Sequence, residues 1–403
     1  LGTSQMGAIS VAFPLGQVVV GLGLLFGNGG ASYISRLLGR GDRETADRAA
    51  STALYSSIFV GAAVILCAVI FLKPLLKCLG ATDSILPYAV TYAGIYVVSS
   101  IFNVFNVTMN NIVTSEGAAR TTMCVLLTGA AFNMVLDPVF IYVLKLGVAG
   151  AAIATAISQA VSTLVYLYYV ISGRSMFCFR FRNCCFSNEI MSEILKIGIP
   201  TLAFQLLTSL SITMINMQAK PYGDSVIAGM GAVTRMISLG SLMVFGFIKG
   251  FQPIAGYNFG ARQYPRVTRV LKLTIIGATI VTTTGFLLGM FIPDLLASIF
   301  TSDAELIQLA AEGYRIVVMF FPIVGFQMVA SNFFQSIGMA SKAIFLSLTR
   351  QMLFLIPCLL ILPQYYGQTG VWVSMPVSDL AASLVSGVML WWQFRQFRKM
   401  SLG

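Results

Sequence analysis

Two carboxylates, Asp137 and Asp379, fall well inside long apolar stretches, where an ionised group is costly and a functional role is the default expectation. Asp137 ends the run Asn133-Met134-Val135-Leu136-Asp137, and Asn133 lies four residues earlier, so both side chains share one helix face. Pro138 interrupts the local hydrogen-bond ladder and frees backbone carbonyls to face a cavity. The chain turns near Leu146. Asp137 precedes that turn by nine residues and Thr155 follows it by nine, so both sit about 13 Å below it at 1.5 Å per residue. Asn133, Asp137 and Thr155 can therefore converge in one oxygen-rich set. A carboxyl withdrawn from water holds a proton more readily and can bind and release one near neutral pH, and the same oxygens suit Na⁺. The competing reading is that Asp137 only satisfies backbone groups beside the proline. Asp379 follows Pro376 and Ser378. A coupling role and plain structural hydrogen bonding are both open to it.

Little else in the sequence can do chemistry. His is absent, which removes the commonest general base and metal ligand. The seven Cys show no zinc or redox spacing, and Cys178, Cys184 and Cys185 share one loop expected in the reducing cytoplasm. Gly21-Leu22-Gly23 and Gly27-Asn28-Gly29-Gly30 imitate a phosphate loop but lack a preceding strand, so they predict close helix packing or bending. Asn106-Val107-Thr108 fits a glycosylation sequon inside an apolar span. With no clustered nucleophiles, acids or His, the sequence does not read as an enzyme.

The elements that must carry these residues are membrane helices. Of 403 residues 57% are hydrophobic and 10% charged, against about 25% charged in soluble domains. Apolar stretches of bilayer-spanning length fall at 6–27, 49–72, 87–112, 121–144, 147–171, 194–218, 225–255, 268–292, 307–337, 343–362 and 369–393. Most Lys and Arg lie in one set of loops, with Arg40, Arg43, Arg120, Arg174, Arg262, Lys342, Arg350 and Arg398 among them, and the positive-inside rule puts that set in the cytoplasm. The net charge of +11 then suits anionic lipid better than nucleic acid. Arg235, Lys249 and Arg315 fall within spans, where pairing (Arg315 with Glu312) or snorkelling is expected.

An internal repeat recurs at a spacing of 221 residues. Phe26, Gly29, Gly39, Phe105, Asn111, Ser115 and Gly117 match Phe247, Gly250, Gly260, Phe326, Asn332, Ser336 and Gly338. At a spacing of 223, Gly147-Val148 matches Gly370-Val371 and Thr155 matches Ser378. Thr82/Asp83 and Ser302/Asp303 are expected helix caps at matching positions. The fold expected is all-α and polytopic: two six-helix bundles related by the repeat, with eleven of twelve helices visible and the first lying upstream of Leu1. Residues 1–171 make the N-terminal lobe, 172–193 a cytoplasmic inter-lobe loop, and 194–403 the C-terminal lobe. The loop's Arg174, Phe177, Phe179, Arg180 and Arg182 suit either the inner membrane surface or a plain linker.

The chain resembles the multidrug and toxic compound extrusion family, in its bacterial multidrug-export branch. The resemblance runs along nearly all of it: Met6–Ser10, Ala31–Arg43 with Gly39-Arg40-Gly41-Asp42, Asn133–Pro138, Gly147–Thr155 and, most specifically, Gly250–Ala261. It implies a central cavity between two six-helix lobes of a multi-pass protein in the plasma (inner) membrane, working as a monomer. It also implies export of amphipathic or cationic drugs in exchange for H⁺ or Na⁺ by alternating access, without a cofactor. Family members use a Tyr on helix 4, an Asn and an Asp on helix 5 and a Thr on helix 6, which Tyr92, Asn133, Asp137 and Thr155 match. A further Asp, on helix 1, would lie before Leu1. Where some relatives carry a Glu on helix 7, this chain has Gln205, Ser209 and Asn216. Asn110 and Gln205 are candidates for the substrate wall. The alternative is a lipid or lipid-linked oligosaccharide flippase, which would need a more cationic cavity than three intramembrane basic residues provide.

Overall fold

Apolar runs without β-alternation give long helices, and the computed structural model of the chain contains nothing else that is regular among its described residues. The backbone is described for residues 3–79, 83, 85–184, 187–222, 224–299 and 303–400. A few side chains inside helices, Asn216 among them, lie outside that description, as do Thr82, Cys185 and Ser302. Asp303 caps its helix as expected, accepting from the Glu305 N–H at 3.0 Å.

The first half comprises α1 (Thr3–Arg40), α2 (Arg43–Ile70), the short α3 (Leu72–Cys78), α4 (Leu86–Ser115), α5 (Ala119–Pro138) and α6 (Gly147–Ile171). A π turn at Val139–Val143 follows α5 directly, where Pro138 has withdrawn its N–H from the ladder. α7 (Asn188–Ala219) leads to α8 (Asp224–Gly260), α9 (Tyr264–Phe291), α10 (Pro293–Ser298), α11 (Ala304–Val317), α12 (Phe321–Ser336), α13 (Ala340–Leu348) and α14 (Ile356–Met400). Ten helical stretches among the described residues are long and apolar enough to cross a bilayer. The tenth, Ala340–Lys399, runs 60 residues, roughly three times what a 30 Å hydrocarbon core requires. It breaks at Gly367 (φ 57°, ψ −136°), so it holds both of the last two expected spans. The protein is an all-α, multi-pass membrane protein.

The backbone repeats more faithfully than the side chains. Left-handed residues recur as Gly41 and Arg262, Gly117 and Gly338, and Gly147 and Gly367. The last pair sets the local spacing at 220, not 223. Gly150 and Gly370 confirm it, because each lies against a carbonyl of the preceding strand of chain, Phe140 and Leu362 respectively. In this register Asp379 corresponds to Gln159, and Thr155 no longer corresponds to Ser378.

The chain forms two units, Leu1–Leu206 and Leu207–Gly403, and their division falls within α7, later than the loop expected to separate the lobes. The early part of α7 packs into the first unit for three physical reasons. Gly29 and Gly198 let the backbones of α1 and α7 touch, since a Cβ on either would overlap a carbonyl, that of Ile194 or of Leu25. Buried Arg36 pairs with Glu193 at 3.0 Å. Gln205 donates to Gln17 at 2.6 Å. The glycines that imitated a phosphate loop are thus packing devices. In the second unit, α8, α9, α11, α12 and α14 surround cores built on Trp372, Tyr314, Phe333 and Phe334. Glu312 takes its bond from Gln308 at 3.3 Å, and Arg315 has no ion pair among the described residues.

The described part of the loop, 172–184, is fastened down. Phe177 is buried in the first unit's core. Ser51 and Tyr55 of α2 donate to the Cys178 and Phe179 carbonyls at 3.3 and 3.1 Å. Glu116, in the turn after α4, accepts from Tyr169 (2.6 Å), Ser175 (3.0 Å) and the Met176 N–H (2.8 Å). Burial pushes the Glu116 carboxyl above its usual 4.5, against the pull of those three bonds. A carboxyl with a raised folded value supports folding below pH 4.5 and loses that contribution as pH climbs through the raised value. The unfolding temperature of the unaltered protein should therefore fall relative to Glu116→Gln from about pH 4.5 upward. Parallel melting profiles across the acid range would contradict this.

Candidate intramembrane cation site

The structure brings two of the expected residues, Asn133 and Tyr92, to the Asp137 carboxylate. On α5, Asn133 donates to Asp137 Oδ1 at 3.4 Å, the i,i+4 geometry the spacing predicts. From α4, Tyr92 reaches electrostatic range of Asp137 and stacks on Tyr96 with ring centroids 5.8 Å apart. Thr155 makes no hydrogen bond to Asp137 among the described residues, and its hydroxyl donates to the Ala151 carbonyl on its own helix at 3.0 Å. Among the described residues no Lys or Arg pairs with Asp137, which is half-buried at the π turn. An ionised carboxylate in a membrane span without a counter-charge is costly, and binding a proton or a cation relieves that cost.

A separate polar network runs between α4 and α6. Asn106 donates to both the backbone and side-chain oxygens of Gln159 at 2.8 Å, and Thr163 donates to Asn106 at 3.0 Å. Asn110 donates to the Tyr166 hydroxyl at 3.2 Å. Asn103 adds a buried acceptor, Oδ1, with no partner. Asn110 thus lies on this network, whereas Gln205 is engaged with Gln17 of α1. Sequence reasoning singled out neither Gln159 nor Thr163. The available signal was periodicity: Tyr92, Tyr96, Asn103, Asn106 and Asn110 step along α4 at three-, four- and seven-residue intervals, and Gln159, Thr163 and Tyr166 do the same on α6.

Asp379 presents the opposite arrangement. It is buried, and it accepts a hydrogen bond from Arg350 Nε in an ion pair. Arg350, grouped by sequence with the loop cations, lies instead within the last long helical stretch, in a π turn at Thr349–Leu355.

The sequence model of the MatE family matches residues 1–139 and 200–360. The multidrug export protein MepA of Staphylococcus aureus is 27% identical over 387 residues, covering 96% of this chain and 85% of the relative. That of Staphylococcus saprophyticus is 26% identical over 392 residues, covering 97% and 86%. Among solved structures, an outward-facing multidrug resistance MATE transporter of the MOP superfamily superposes with a TM-score of 0.93 at 27% identity, covering all of this chain and 90% of that one. A MOP superfamily transporter from Pyrococcus furiosus, described as having a binding pocket of reverse polarity, gives 0.93 at 26% identity, covering 99% and 89%.

Proposed function

The chain belongs to the MatE family of membrane transporters, and we propose that it exports amphipathic or cationic drugs across the plasma (inner) membrane in exchange for H⁺ or Na⁺. It is a transporter and not an enzyme. Its relatives in two Staphylococcus species are multidrug export proteins, which supports the drug-efflux reading. The single observation that carries the coupling is the half-buried Asp137 carboxylate, hydrogen-bonded by Asn133 and beside Tyr92, with no cation among the described residues paired to it.

In the proposed cycle a proton or Na⁺ arriving at Asp137 removes the cost of holding a bare charge in the span. Each access state would bind that ion with a different affinity, and only this difference can shift the equilibrium between them. The π turn after Pro138 gives α5 a place to bend next to the carboxylate. Drug occupying the competing state would leave outward as the ion enters. The protein would need no cofactor, would meet only drug and bilayer as partners, and would act as a monomer.

Ethidium efflux from membrane vesicles, driven separately by a pH gradient and a Na⁺ gradient, tests this. One gradient is expected to drive export. If neither does, the antiport reading fails.

A further inference from the structure

We propose that Arg350 is a recognition site for a carboxylate on the exported molecule, so that the second unit selects zwitterionic amphipaths while the first takes the driving cation. The proposal rests on the export reading for the class of ligand. Arg350 lies ten residues into the stretch Ala340–Lys399, and Asp379 lies twelve beyond the break at Gly367. Both are therefore at least 15 Å from the nearer end of their helix, at about 1.5 Å per residue. Ala343, Leu346 and Ser347 on the same side of the helix are buried, whereas Met352 and Leu353 turn outward, so the guanidinium points into the unit.

Only one of its five N–H donors is used. Nε serves Asp379, and the two Nη groups have no partner among the described residues. The Arg350 side chain keeps 26% of its surface accessible while that of Asp379 keeps 6%. The acid is thus the fixed half of the pair and the guanidinium its open half. The buried Oε1 of adjacent Gln351 also lacks a partner, as expected where the π turn opens the local structure. A planar fork of free N–H donors in a low-dielectric setting matches a carboxylate in two-pronged fashion. Asp379 orients that fork by holding Nε, and is a positioning residue.

Purified protein in phosphatidylcholine nanodiscs is titrated with tetramethylrhodamine, a zwitterion with a free carboxylate, and with its methyl ester, in which that charge is masked. The unaltered protein should bind the acid about tenfold more tightly, the worth of one charge-assisted contact. Arg350→Gln combined with Asp379→Asn removes both charges together and leaves no orphan charge inside the protein. It should erase the preference while leaving the affinity for the ester unchanged. Equal affinity for acid and ester in the unaltered protein overturns the proposal, and so does a preference that survives the double substitution. Loss of affinity for both dyes together makes the pair structural and also overturns it. Displacement of the acid by added phosphatidylglycerol would assign the guanidinium to lipid phosphate instead. Ethidium efflux measured alongside separates the two readings: failure of gradient-driven efflux with the acid preference intact sinks the antiporter and spares the Arg350 site.

Discussion

Asp137→Asn is expected to reduce gradient-driven ethidium efflux at least tenfold, toward the leak of empty vesicles, while the protein still folds and reaches the membrane. The amide keeps an oxygen for the Asn133 donor, which now stands 3.4 Å from Oδ1, and it removes a charge with no counter-ion among the described residues. Deleting one member of a buried ion pair costs about 3–5 kcal/mol because it strands the other, but no stranded partner exists here. Melting temperature should therefore hold or rise as transport is lost, and the remaining leak should no longer respond to pH or Na⁺. Undiminished efflux would remove Asp137 from the mechanism. A marked fall in folded protein would show that the carboxylate is holding the helix together instead.

Gly198→Ala is expected to have the largest effect on stability. The added methyl overlaps the Leu25 carbonyl, and the reciprocal position, Gly29, is closed by the Ile194 carbonyl. Both obstacles are backbone, so no side chain can rotate away and α1 must separate from α7. Overpacking alone costs about 1–3 kcal/mol. The separation also strains the Arg36–Glu193 pair two turns further along, now 3.0 Å between charged atoms with Arg36 buried. For a unit of this size each kcal/mol lowers the melting temperature by about 2–4 °C. A thermal unfolding scan in detergent should show a drop of several degrees. A shift within one degree would mean that the helices already have slack at this contact.

The sequence allowed the site on α5 to be read and concealed the one on α14, for a physical reason. Asn133 and Asp137 interact within one helix, where a spacing of four residues fixes geometry before any tertiary structure exists. Arg350 and Asp379 are 29 residues apart in sequence, on stretches separated by a break, so only the packed unit shows that they meet. The same limit hid the Asn106–Gln159–Thr163 network, which depends on the register between α4 and α6. Spans and turns were more accessible, because hydropathy and glycine act locally. Even so, matching Gly147 to Gly370 by residue type misplaced the repeat by three residues, and the left-handed backbone at Gly147 and Gly367 corrected it.

A scaffold in which three left-handed corners coincide leaves its two copies room to diverge in their side chains. In that register the acid at Asp137 corresponds to Pro357, and the amide of Gln159 corresponds to Asp379. Either copy doubled with itself would keep the three shared corners and give two bare acids or two guanidinium pairs, never one of each. The charge differs between the halves while the frame is shared, and on the two proposals above that difference would let each half bind a different partner.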